Sequence, residues 1–210
     1  MLDDLKTVAA ALKFLGFSGW EPRSDYVYRF NIQKIAYLCK AMGIPLTSYD
    51  FSIYLHGPYS RALAIDYTTH AAAVAIDQGD SSRDHAFSGG ERDALRLLKD
   101  VVFSNGLMRS HPAEFLETLS TVVFFFVNEN DYSHDSLVRK VKKIKPHLSK
   151  RILSVAVNVA KELLLSVNPP TATMVEEVKA WERMGDGLDK DITDPPGNRE
   201  KTTLLDPYKT

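Results

Sequence analysis

The stretch FNIQKIAYLCKAMGIPLTSYDFSIYLHGPYSRAL, from Phe30 to Leu63, decides the fold. Tyr28, Ile32, Ile35, Cys39 and Met42 recur at alternating helical intervals, which predicts a one-faced helix from about Tyr26 to Met42. Gly43 follows as its C-terminal cap, and Gln33, Tyr37 and Lys40 fall on another face. Phe51, Ile53 and Leu55 then alternate with Ser52, Tyr54 and His56, the pattern of a short half-buried strand. Gly57-Pro58 ends that strand, and Pro58 suits the first turn of a helix from Tyr59 to about Ala75, where its missing N–H is not required. Helix, strand, tight turn and helix thus form one small unit.

Working outward, Leu5, Val8, Ala9, Leu12 and Leu15 predict a short N-terminal helix that must dock to be stable. Gly16, Gly19 and Pro22 break it. The polar segment from Asp77 to Gly90 reads as a surface loop or weak hairpin. Ser88 and Glu91 have capping-box spacing and open a helix through Phe103, which Asn105-Gly106 stops. His111-Pro112 opens a helix carrying Phe115, Leu116, Leu119, Val122, Val123 and Phe126. Ser133 caps a shorter basic helix that ends at Pro146, and Ser149 caps a last one with a stripe of Leu153, Ala156, Ala160, Leu163 and Val167. Pro169-Pro170 closes the globular part. The expected architecture is mainly α, a compact multi-helix domain over residues 1–168 with one short β-strand or hairpin. Residues 169–210 form a Pro-rich boundary, an exposed helix over Thr173 to Arg183, and a flexible, disordered acidic tail.

Bulk composition narrows the function classes. With 210 residues the chain can bury one sizeable core. A formal charge of −1 makes no global demand for nucleic acid or membrane. The longest apolar run, Val122 to Val127, is far short of the roughly 20 residues of a membrane span. Asp3 and Asp4 stand where a signal peptide needs positive charge, so a reducing, cytoplasmic setting is expected. The single Cys39 excludes an intramolecular disulfide and lies in an apolar pattern, as a buried structural thiol does. His56, His70, His85, His111, His134 and His147 show no metal-ligand spacing, and no cofactor or phosphate loop is indicated.

Two features carry candidate function. The first is Gln33, Lys34, Tyr37, His56, Gly57, Pro58 and Tyr59. These read either as a contact face for a partner protein, with Tyr37 and Tyr59 as anchors, or as an internal lock between the helix and the turn. The second is the acid-free run Arg139, Lys140, Lys142, Lys143, Lys145, Lys150 and Arg151. It reads either as a phosphate-binding surface or as a solvated helix face. An enzyme site near His56, Tyr59 and Asp66 is the weakest alternative, because the sequence specifies no further catalytic partner.

Four motifs in order also carry a family resemblance. Asn31-Ile32-Gln33-Lys34-Ile35-Ala36-Tyr37-Leu38 resembles the K-L-Q-K-L-x-Y helix of SocA-like (Panacea) antitoxin domains and of the related YwgA-like proteins. Leu55-His56-Gly57-Pro58-Tyr59-Ser60, with Leu63 after it, resembles their Y-G-P-Y-S-x-x-L turn. Leu116 to Phe124 resembles the helix that YwgA-like proteins carry after that turn, and VKKIKPHL, Val141 to Leu148, their L-K-x-x-K-P-x-F segment. A similar motif pair occurs in the C-terminal domain of the antitoxin that accompanies DNA-modifying ADP-ribosyltransferase toxins. The resemblance spans about Ser24 to Leu165; Asn31 replaces the first Lys of the helix motif, and His56 stands where Tyr is usual. It implies a helical, non-enzymatic module that binds and neutralises or regulates another protein, a toxin or effector. A nucleic-acid-binding regulator using residues 139–151 is the alternative.

Overall fold

The computed structural model describes residues 2–17, 26–70, 87–129 and 133–167. The end of the helix expected to Ala75, most of the loop from Asp77, and the tail beyond residue 167 lie outside them. The chain divides into two compact units, residues 1–169 and 170–210, and all described elements belong to the first.

Its described residues are mostly helical, with one antiparallel hairpin among them. Helix α1 spans Leu2–Phe14 and buries Leu5, Val8, Leu12 and the following Leu15. Helix α2, Tyr26–Ala41, carries the predicted stripe. Its last turn closes in two reversed hydrogen bonds, Ile44 N–H to Cys39 O and Gly43 N–H to Lys40 O, both 3.0 Å. This cap puts Gly43 at φ +91°, a conformation that strains any residue with a side chain.

Strands β1, Ser52–Tyr54, and β2, Gly57–Tyr59, pair Ser52 with Tyr59, Ile53 with Pro58 and Tyr54 with Gly57. Leu55 and His56 make the connection. Here the structure corrects the sequence reading: Pro58 and Tyr59 belong to a second strand, and helix α3, Arg61–Thr69, starts later. Pairing across the hairpin keeps Pro58 and Tyr59 extended. Ser60, also extended, caps the helix by accepting from the Leu63 N–H.

Helix α4, Gly89–Leu98, begins in the predicted capping box. It runs into a wider π turn over Lys99–Phe103, closed by Ser104 N–H to Lys99 O, instead of staying α-helical to Phe103. Phe103 there meets Phe17 edge-on, ring centroids 5.5 Å apart. Asn105 does not simply stop the helix. Its side chain accepts from the Leu107 N–H and caps the short α5, Gly106–Ser110. Helices α6 (Pro112–Glu129), α7 (His134–Ile144) and α8 (Lys150–Val167) follow. Among the described residues, no helix is long and apolar enough to cross a membrane.

Helix α6 is the axis of the core. It packs on α2, α8 and β2, with α5 and α7 alongside. Phe115, Leu116, Leu119, Val122, Val123 and Phe126 are buried, and so are Glu117, Thr118, Ser120 and Thr121. A helix buried on most of its circumference must satisfy those polar groups internally. Glu117, Ser120 and Thr121 meet the hairpin, and this contact builds the site.

Candidate functional site

The hairpin is fastened from three directions. From α2, the Gln33 amide makes a reciprocal pair with the Ser60 backbone: Nε2 donates to Ser60 O at 3.0 Å and Oε1 accepts from Ser60 N–H at 2.8 Å. The amide thus imitates a neighbouring strand. The next residue, Lys34, donates Nζ–H to Pro58 O at 2.8 Å, and its ammonium lies 5.1 Å from the Phe30 ring centroid. Both side chains are inside the protein, each residue only 2% exposed. Of the two readings of these residues, the described contacts are those of the internal lock.

From α6, the contact is steric. Gly57 sits at φ +88°, and a Cβ there would stand 2.8 Å from Thr121 Oγ1 and 3.5 Å from both the Glu117 carbonyl and Ser120 Oγ. Only glycine permits this backbone shape and this approach together.

The third fastening is an ion cluster. Lys145, just before Pro146, is buried, and its Nζ reaches Glu117 Oε1 at 2.7 Å. The same ammonium donates to the carbonyl of Leu55 and approaches that of Tyr54 at 3.4 Å. His56 Nδ1 and His147 Nε2 stand 3.6 and 3.7 Å from the Glu117 carboxylate. Lys145 therefore pairs with a buried carboxylate, and the charges of both members act on Lys34. Burial pushes the Lys34 pKa down to about 8, against the opposing pull of Glu117 and with a further push from Lys145.

Tyr37 is a core residue. Its ring centroid lies 5.2 Å from that of Phe51 and 5.8 Å from that of Phe124, and its hydroxyl accepts from Asn128 Nδ2 at 3.4 Å. Burial holds this phenol well above its ordinary pKa. The surface at this place is formed instead by the hairpin and the start of α2. Tyr54 is 68% exposed and Leu55 73%, with half-exposed His56 and the more buried Tyr59 beside them; the Tyr54 and Tyr59 rings lie 5.7 Å apart. Tyr26 and Val27 are also exposed. Between these edges opens a cleft of about 300 Å³, with Gln33, Lys34, Gly57 and Tyr67 as its buried members. A side-chain hydrogen bond joins Tyr67 to Gln33.

Asp66 does not line that cleft. It is buried beside Tyr49, whose hydroxyl donates to Asp66 Oδ2 at 2.9 Å, so the trio His56, Tyr59 and Asp66 does not converge. The basic run is likewise divided. Lys145 is inside, Lys142 folds back on the carbonyls of Pro146 and Leu148, and Lys140 pairs with Glu129 at 2.7 Å. Arg139, Lys143, Lys150 and Arg151 are exposed.

Sequence reasoning placed Gln33 and Lys34 against the turn but missed Glu117 and its pairing with Lys145. The available signal was the polar set Glu117, Thr118, Ser120 and Thr121 inside an otherwise apolar helix. Compared with family models, with curated proteins and with solved structures, the chain matches none.

Proposed function

We propose that this chain is a SocA-like or YwgA-like module that binds another protein, a toxin or defence effector. It neutralises or regulates that partner in the cytoplasm without chemistry or a cofactor of its own. The observation that carries the reading is a set of exposed apolar and aromatic groups, Tyr54 and Leu55 on the fastened hairpin and Tyr26 and Val27 at the start of α2, with half-buried Tyr59 beside Tyr54. Exposed apolar groups gathered around a cleft mark interaction sites. Tyrosine supplies contact area with few rotors to freeze, and a pre-fastened hairpin loses little entropy on docking. His56, Gly57 and Pro58 shape that edge, and Gln33 and Lys34 support it.

The alternative, a nucleic-acid-binding regulator, would use the exposed cations Arg139, Lys143, Lys150 and Arg151. The test is co-expression with the product of the gene adjacent to the one that encodes this chain, followed by calorimetry on the purified complex. Tyr54→Ala and Tyr59→Ala are each expected to abolish growth rescue and to weaken binding by about 2 kcal/mol or more. Lys143→Glu with Arg151→Glu should leave both intact. The inverse result, with binding that collapses as salt rises, would favour the nucleic-acid reading.

A further inference from the structure

We propose that the outer edge of β1 pairs with the same edge of a second copy of this chain, joining two hairpins into one antiparallel sheet across a two-fold axis at Ile53. This goes beyond the protein-binding reading above and does not rest on it.

The two edges of the hairpin differ, and Pro58 sets the difference. A proline has no N–H, so Ile53 and Pro58 cannot be a hydrogen-bonded pair. The bonded pairs are therefore Ser52 with Tyr59 and Tyr54 with Gly57, and the N–H and C=O of Ile53 point away from β2. On the far side of β2 the corresponding groups are engaged: Pro58 O by Lys34, and the N–H and C=O of Ser60 by Gln33. The β1 edge has no such cover. Among the described residues, nothing hydrogen-bonds to the outward groups of Ile53. Ser52 and Tyr54 are exposed on either side of it, and the strand carries no charge, proline or bulge of the kind that keeps open edges apart.

That edge is complementary to itself. On the axis, Ile53 exchanges both its hydrogen bonds with Ile53 of the second copy, the reciprocal contact that a two-fold interface requires. The same register sets exposed Leu55 opposite Phe51 of the second copy, apolar against apolar, and Tyr54 opposite Ser52. It also sets Asp50 opposite His56, an acid against a histidine at each end of the pairing. Asp50 is fully exposed and reached by Lys40 at 3.8 Å, and His56 is half-exposed. An axis at Ser52 or Tyr54 is excluded, because their backbone groups are spent on β2. Charge, apolar surface and backbone thus agree on one register and on a copy of the chain itself as occupant.

Sedimentation equilibrium of the full chain alone, over a wide range of concentration, tests this. The apparent mass should rise from that of one chain toward that of two. Ile53→Pro removes the outward donor and spares the bonds of Ser52 and Tyr54 to β2, so it should weaken dimerisation about tenfold with unchanged circular dichroism. Register is read by cross-linking. Mixed Ser52→Cys and Tyr54→Cys chains should form a disulfide between unlike copies faster than either variant does with itself, since those positions face each other closely in a non-bonded pair. Cys39 is buried and common to all samples. Should Ile53→Pro fail to fold, the cross-link decides alone. A chain monomeric at every concentration, a dimer that folded Ile53→Pro leaves unchanged, or an unlike pair that forms no faster than the like pairs would overturn the proposal. A monomer whose complex with another protein is weakened by Ile53→Pro would overturn it too, and would give the edge to a strand of that protein. Each of these results leaves the protein-binding reading to its own test by growth rescue and calorimetry.

Discussion

Lys34 shows how one residue can serve the fold at a cost that pH reveals. Its ammonium is buried and anchored on Pro58 O, and its folded-state pKa is down to about 8 from an ordinary 10.5. Below pH 8 it is charged in both the folded and unfolded chains, and folding carries the full desolvation cost. Between pH 8 and 10.5 the unfolded chain binds the extra proton, so this contribution to stability rises with pH. Other groups oppose it higher up. Cys39, pushed up to about 12 from 9.0 by burial, and the buried phenols of Tyr37 and Tyr49 keep their protons in the folded state and make stability fall above their unfolded values. The Lys34 effect therefore shows most cleanly between pH 8 and 9. Chemical denaturation of the native chain should report a gain over that interval which Lys34→Met lacks. Identical slopes in the two proteins would mean that the ammonium is not desolvated as described.

At the scale of elements, the hairpin depends on α6 and on the segment after α7 more than on its own short ladder. A two-stranded hairpin alone is marginal in water. Here Lys145 joins Glu117 of α6 to the carbonyl of Leu55 at the hairpin tip. A buried ion pair need not add net stability, but removing one member strands the other. Lys145→Met is therefore expected to cost about 3–5 kcal/mol, roughly 6–20 °C in melting temperature for a chain of this size. Adding Glu117→Gln to Lys145→Met should recover part of the loss, because the orphaned charge disappears. A double variant as unstable as the sum of its singles would show that the two residues act independently.

For the whole molecule, every described element lies within residues 1–169, and the division into compact units falls between Pro169 and Pro170. The core formed by α6 with α2 and α8 is complete within that span. A chain ending at Pro169 should melt cooperatively within about 4 °C of the full chain, a change of about 1 kcal/mol. Circular dichroism on both proteins checks it, and a broad or strongly lowered transition would show that residues 170–210 support the core.

Local signals carried most of the fold. The stripe of α2, the capping box at Ser88 and Glu91, and the stop before Pro146 are written in adjacent residues, because hydrophobic period and capping chemistry act over one or two turns. The sequence also marked Gln33 and Lys34 as needing partners near Gly57, since a polar pair on a core-facing helix must be satisfied somewhere. What it left open was which groups meet across long separations. Whether Pro58 opens a helix or pairs in a strand depended on the Ile53 partner and on the Gln33 clamp at Ser60. Whether Lys145 faces water or Glu117, and whether Tyr37 faces a partner or the core, depended on α6 passing beneath the hairpin. Helix and turn preferences are properties of neighbouring residues. Burial and charge pairing belong to surfaces that only the packed chain brings together.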